Sequence, residues 1–210
     1  MGKRELKKQQ KYFDFLAAAA RLFAEKGVDE TTMQEIAANV ATGTKTLNRY
    51  FPSKNSIIMA ILKEDDRISI KRAEIQARST FDNPVDLICC VYEKYVDYAN
   101  IINNLAVWQE YESVRIKAYN KSKPDIGSID LRKDIVELTK DILRKLINKH
   151  LLKEGISPEK LTSIIHAILL LNYHKTLRGN FISEAEALAS LRAEVSFFLE
   201  PYLVSPMKND

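Results

Sequence analysis

The chain has 210 residues, 46% of them hydrophobic and 29% charged, with a net charge of +4. That balance belongs to a folded chain and excludes a disordered one. No apolar run approaches the roughly 18 residues a membrane-crossing helix needs. The longest, "IIHAILLL" at 164–171, contains His166 and soon meets Asn172 and His174. The opening "MGKRELKKQQK" is basic like a secretion signal, but Asp14 interrupts any apolar core, so a cytoplasmic location is expected. Adjacent Cys89 and Cys90 sit too awkwardly on a helix to pair, and both are expected as reduced thiols. Residues 1–63 hold eleven Lys and Arg against six acids, a net +5, leaving −1 for the rest. A basic end on a near-neutral body points to a polyanion partner.

Six glycines and six prolines are few for this length and favour long helices over a sheet. Phe13, Leu16, Ala17, Ala20, Phe23 and Ala24 recur at helical spacing, which predicts a first helix over 8–26. Gly27 is expected to end it in a left-handed conformation, with Val28 folding back. Thr32 and Glu35 then form a capping box for a second helix that buries Met33, Ile36, Ala37 and Val40. The break at "ATG" leaves Gly43 for the turn, and residues 44–50 make a short third helix. Pro52 ends it, and Ser53 caps a fourth that runs through Ile57, Ile58, Ile61 and Leu62 toward Arg78. A fifth helix is expected from Pro84 past Tyr95 and Tyr98, a sixth over 103–119, and a loop at 120–128. Three more follow over about 130–153, 158–178 and from Ser183 to near Pro201. The fold class is therefore all-α, about nine helices, with a helix-turn-helix domain at 1–65 and a helical body at 66–210.

Residues 42–51, "TGTKTLNRYF", combine two characters. Leu47, Tyr50 and Phe51 fall on one face of a helix, whereas Lys45, Asn48 and Arg49 share another, with Thr44 at its N-terminal end. Short hydrogen-bonding groups and two cations match base edges and phosphates in a major groove about 12 Å wide, which admits one helix. Lys54, at the start of the fourth helix, is placed to hold a phosphate with help from exposed backbone N–H groups.

"RLFAEKGVDETTMQEIA" followed by "TLNRYFPSK" closely resembles the DNA-binding domain of the TetR family of bacterial transcriptional regulators. The resemblance covers about residues 9–69. It implies that Thr32–Phe51 is the helix-turn-helix, with 44–50 as recognition helix. It also implies that Thr32, Thr44, Lys45, Thr46, Asn48, Arg49, Tyr50 and Lys54 face DNA, and that an all-α C-terminal domain binds small molecules and dimerises. The departures from the family pattern are Ala41 for a usual glycine, Gly43 for serine or threonine, Lys45 for glycine or alanine, and Asn48 for tyrosine. The packing residues are intact, so the docking mode transfers and the operator sequence does not. Lys45 to guanine and Asn48 to adenine are the contacts these side chains suit.

Tight recognition by a helix-turn-helix calls for a dimer across two half-sites. The last two helices are apolar over more than one stripe, which suits an isologous four-helix interface. Ile165, Leu169, Tyr173, Leu191, Val195, Phe198 and Tyr202 are its candidate residues. Aromatics gather in the middle of the chain at Tyr92, Tyr95, Tyr98, Trp108, Tyr111 and Tyr119. A small-molecule pocket is expected there, with Tyr92, Tyr95, Trp108, Tyr111, Glu112, Asn172 and His174 as lining. An enzyme is disfavoured. His150, His166 and His174 and the two cysteines have no metal-ligand spacing, and nucleophile and phosphate-loop motifs are lacking, so no cofactor or metal is expected. The remaining alternative is a protein-interaction module that kept the fold without its DNA.

Overall fold

The computed structural model describes residues 2–79, 81–121 and 133–204. They form ten α-helices: α1 Lys3–Lys26, α2 Met33–Asn39, α3 Thr44–Tyr50, α4 Lys54–Gln76, α5 Pro84–Tyr95, α6 Tyr98–Asn103, α7 Leu105–Lys121, α8 Lys133–Asn148, α9 Pro158–Leu177 and α10 Glu184–Leu199. A 3-10 turn at Glu200–Tyr202 follows, and Leu152 and Leu203 make an isolated antiparallel bridge. Among the described residues there is no β-strand, and no helix is long and apolar enough to cross a membrane. Positions 122–128 of the expected loop, positions 130–132 of the helix expected after it, and the Tyr119 side chain lie outside the described residues.

The tenth helix arises where one was expected to run past Tyr95 and Tyr98. Val96 takes an extended conformation (φ −104°, ψ 120°) and ends α5. Asp97 then starts α6: its side chain accepts from the Asn100 N–H at 3.0 Å. A short acid that competes for backbone N–H groups is a good helix start and a poor helix interior. α8 also stops short of the expected boundary, with His150 at φ 54° and the Leu151 N–H closing onto the Leu146 carbonyl at 3.0 Å.

Contacts divide the chain into two compact units: Met1–Asp65 with Asn104–Ile129, and Asp66–Asn103 with Asp130–Asp210. In the first, Phe15, Leu16, Ala19, Leu22 and Phe23 of α1 are buried with Ile36 and Ala37 of α2, Leu47 of α3, Phe51, and Ile57, Ile58 and Leu62 of α4. α7 belongs to this unit, its Tyr111 ring set edge-on to Phe23 at 6.2 Å. Burial raises the Tyr111 hydroxyl above its ordinary pKa, with Asp65 adding to the shift.

In the second unit α10 packs on α5, α6 and α9, and α8 packs on α5 and α9. Its core holds Val85, Ile88, Val91 and Tyr92 of α5, Ile135, Ile142, Leu143 and Leu146 of α8, Leu161, Ile165 and Leu169 of α9, and Leu191, Val195 and Leu199 of α10. The Thr139 hydroxyl donates to the Ile135 carbonyl at 2.7 Å, so the buried Tyr92 hydroxyl is the donor across its 3.1 Å bond to Thr139. Cys89 is buried and Cys90 half-buried, both free, and burial pushes the Cys89 thiol up to about 12.

The helices of the first unit begin and end as local chemistry dictates, with one exception. Gly27 (φ 88°) ends α1 in a conformation that glycine adopts without steric cost. After α2, the left-handed residue is Ala41 (φ 47°), while Gly43 is extended (φ −83°, ψ 152°) and supplies no side chain to cap α3. The Ala41 N–H reaches the Ala38 carbonyl and the Thr42 N–H the Ala37 carbonyl, both at 3.0 Å, a six-residue closure that wants glycine at position 41. A left-handed alanine costs about 1–2 kcal/mol, of which glycine would return about 0.5–1 through the freer unfolded chain. Ala41→Gly is therefore expected to stabilise the protein by up to about 1 kcal/mol, read as a higher midpoint in urea unfolding.

Candidate nucleic-acid interface

The interface candidate is built on α2 and α3. Thr32 is extended and caps α2: the Glu35 N–H donates to its hydroxyl oxygen at 3.2 Å, and the Thr32 N–H donates to the Glu35 carboxylate at 2.8 Å. Lys26, at the end of α1, donates to the same carboxylate at 2.6 Å. The Lys26 ammonium, then the Thr32 N–H and the Thr32 hydroxyl, which both donate to the carboxylate at 2.8 Å, lower the Glu35 carboxyl from 4.5 to about 2. The capping group thus also ties α2 to α1. Arg21 of α1 adds a hydrogen bond to Asn39 at the far end of α2.

α3 is held by one face. Leu47 is fully buried and Phe51 nearly so. The Phe51 ring lies 5.1 Å from Tyr12, and the half-buried Tyr50 ring meets Phe15 at 5.3 Å. The opposite face carries Lys45, Asn48 and Arg49, all exposed, with Thr44 and Thr46 half-buried beside them. Among the described residues, none of those three exposed side chains has a hydrogen bond or ion pair within the chain. Exposed groups with no partner of their own are free to bind an incoming one, and two of the three are cations.

Lys54 sits differently. Its ammonium donates to the Val28 carbonyl at 2.8 Å and the Asp29 carbonyl at 3.1 Å, bracing the α1–α2 loop against the start of α4. Two of its three N–H groups are thereby engaged inside the chain.

The pocket candidates separate between the units. Trp108, Tyr111 and Glu112 lie in the first, with the Trp108 and Tyr111 rings 5.6 Å apart and Glu112 paired with Arg115. In the second, Tyr92 is buried on Thr139, and the Tyr95 hydroxyl donates to Asp66 at 2.5 Å. Asn172 is fully buried, its amide donating to the Ala187 carbonyl at 3.1 Å while its oxygen finds no partner. His174 stands at the surface.

Of the dimer candidates, Ile165, Leu169, Tyr173, Leu191 and Val195 are buried within the second unit itself, and only Phe198 and Tyr202 are partly open. The outward apolar residues on the same helices are one helical step away: Ile164 and Leu171 on α9, at 45% and 53% exposure, and Phe197 on α10 at 83%. Periodicity correctly marks both helices as apolar on more than one side but does not tell the inner stripe from the outer.

Among the described residues no three His, Cys, Asp or Glu side chains gather as metal ligands.

Residues 15–61 match the family described as bacterial regulatory proteins, tetR family. No curated protein matches the sequence. Among solved structures, a TetR-family transcriptional regulator from Pectobacterium atrosepticum superposes with a TM-score of 0.71 at 18% identity, over 98% of this chain and 100% of that one. The regulator FadR from Bacillus subtilis, in complex with stearoyl-CoA, gives 0.63 at 19% identity, over 88% and 98%. SmeT, the repressor of the Stenotrophomonas maltophilia multidrug efflux pump SmeDEF, gives 0.58 at 19%, over 92% and 91%. At these identities the likeness is one of fold.

Because the Glu35 carboxyl is depressed in the folded chain, its stabilising effect is complete above about pH 4.5 and fades as the pH falls toward about 2. Glu35→Gln should flatten the acid dependence of the urea midpoint across that window and leave its slope above pH 5, roughly where the unfolded carboxyl is already ionised, unchanged.

Proposed function

We propose that this chain, a member of the tetR family of bacterial regulatory proteins through residues 15–61, is a repressor that binds a palindromic operator as a dimer under small-molecule control. Residues 1–65 are its DNA-binding part and 66–210 its ligand-binding and dimerisation part. The observation that carries the reading is the outward, unpartnered trio Lys45, Asn48 and Arg49 on a helix locked from behind by Leu47 and Phe51. Arg49 and Lys45 supply charge to phosphates or guanine, Asn48 can meet adenine edge-on, and Thr44, Thr46 and Tyr50 fill the rim. Thr32 and Lys54 support the reading helix from the cap and the loop, and Lys54 keeps one N–H for a phosphate.

The second copy is expected on the outer stripe of α9 and α10. Ile164, the half-buried Ile168, and Leu171 lie at i, i+4 and i+7, and Phe197 projects beside half-buried Phe198 and Tyr202. A twin that covers this stripe fixes the separation of the two recognition helices, which B-DNA accepts only near about 34 Å or a multiple.

Control by a ligand is supported by neighbours of the same fold, one a repressor and one bound to stearoyl-CoA. The proposed route runs through α4. It begins at Lys54 beside the reading domain and ends at Gln76, and Tyr95 of the pocket set donates to Asp66 along it. A ligand that binds better to one pose of α4 shifts the population of operator-competent dimers by that differential affinity alone.

Lys45→Ala, Asn48→Ala and Arg49→Ala should each weaken operator binding by about 1–3 kcal/mol, while the unfolding midpoint stays within about 0.5 kcal/mol. Duplexes selected from a random pool supply the operator. Single-base variants of it then read discrimination, which Asn48→Ala should relax at one base pair of each half-site; uniform loss at every variant would rule out base reading by Asn48. Phe197→Glu should shift sedimentation from dimer to monomer, and an unchanged dimer would place the interface elsewhere.

A further inference from the structure

Inside the second unit, three polar atoms are closed off from water and meet no hydrogen-bonding partner among the described residues. They are the Tyr98 hydroxyl, the Asn172 side-chain oxygen and one carboxylate oxygen of Glu194. Tyr98 and Asn172 are fully buried, and Glu194 is half-buried. A buried polar atom left unpaired costs stability, and folded chains keep few of them.

The three belong to one junction. Tyr98 lies in α6, Asn172 in α9 and Glu194 in α10, and each of these helices packs on the other two. The Asn172 amide donates to the Ala187 carbonyl of α10, and Lys175, three positions on from Asn172, donates to the other carboxylate oxygen of Glu194. Burial pushes the Tyr98 hydroxyl above its ordinary pKa, and Cys89, Tyr92 and Glu194 add to the rise, so Glu194 lies within electrostatic reach of that hydroxyl. A buried aliphatic residue stands three positions from each: Ile101, Leu169 and Leu191.

The junction is rich in acceptors and short of donors. The Ala187 carbonyl takes only an N–H, so the Asn172 amide is oriented with its oxygen to spare. A carboxylate oxygen only accepts, and a phenol accepts as readily as it donates. An anionic ligand would set lone pairs against lone pairs. A protonated primary amine brings three N–H groups and the charge that Glu194 attracts. Lys175 supplies such a group already, from a side chain 34% exposed, and its flexible stem lets the ammonium withdraw into water.

We infer that Tyr98, Asn172 and Glu194 form a binding site for the ammonium head of a small primary amine with an apolar body, a ligand that competes with Lys175 for Glu194. The inference deepens the small-molecule control proposed above by naming the ligand's head group. Its test needs no DNA, so a failure of operator control would leave the site standing.

The probes are n-butylammonium, n-butanol and n-butyrate, matched in size and different in head group. Each is titrated into the full chain at constant ionic strength while the Asn172 side-chain amide resonance is followed. Butylammonium should shift that resonance saturably and bind at least about tenfold tighter than butanol, the scale of one charged hydrogen bond. Butyrate should leave the resonance in place. Glu194→Gln should abolish the preference for butylammonium over butanol. Lys175→Met should strengthen butylammonium binding several-fold, because the competing cation is gone. Tyr98→Phe should weaken that binding while the urea midpoint holds or rises, since an unpaired hydroxyl no longer has to be buried. Butyrate binding as tight as that of butylammonium, or no saturable shift with butylammonium, would overturn the site. Weaker butylammonium binding by Lys175→Met would overturn the competition. A lower midpoint with unchanged binding in Tyr98→Phe would make the hydroxyl a structural group and remove it from the site.

Discussion

The first unit depends on the packing of a seven-residue helix by its inner face. α3 is too short to persist alone in water, since helix nucleation is costly and few hydrogen bonds follow it. Its stability is tertiary. Leu47 contributes about 1.5–3 kcal/mol by burial, and the Phe51–Tyr12 and Tyr50–Phe15 ring contacts add about 0.5–1.5 kcal/mol each. Those contacts also fix rotation about the helix axis, and rotation decides that Lys45, Asn48 and Arg49 point outward. Anchoring and presentation are one constraint, because side chains four apart share a face and the remainder must turn the other way.

The same logic explains the density of ties around α2. Its cap is shared among Thr32, Glu35 and Lys26, its far end is held by Arg21, and Lys54 pins the loop that leads into it. A short helix that positions another short helix gains little from its own backbone, so polar contacts at its ends do the positioning. The exception is the turn between them, where Ala41 holds a left-handed conformation and Gly43 leaves α3 without a side-chain cap.

What could be read from the sequence divides by range. The capping box at Thr32, the Gly27 terminus, the stripe through Ile36 and Ala37 and the two-faced character of 44–50 are local, and the amino acids state them directly. The break at Val96–Asp97 was signalled by an acid in an apolar helix, but the apolar run on either side hid it. Ala41 rather than Gly43 as the left-handed residue follows from where α2 runs out of partners, which residue preference alone does not give. The inner and outer stripes of α9 and α10 are both aliphatic, so composition cannot rank them; only packing against α5 and α8 turns Ile165 and Leu169 inward and leaves Ile164 and Leu171 out. The aromatics of the pocket set lie close together in sequence, whereas Trp108 and Tyr111 join the unit built on α1 and Tyr92 joins the one built on α8.

That membership of α7 bears on how the molecule can be dissected. A fragment cut after Asp65 would retain every side chain proposed to meet a nucleic acid, yet it would strip Phe23 of the ring that covers it. The bared aromatic would sit in the last turn of the longest helix of the fragment, a site for sticking to other copies. Autonomy of the reading head is thus denied by the 38 intervening positions Asp66–Asn103, and any minimal version has to borrow the α7 segment back.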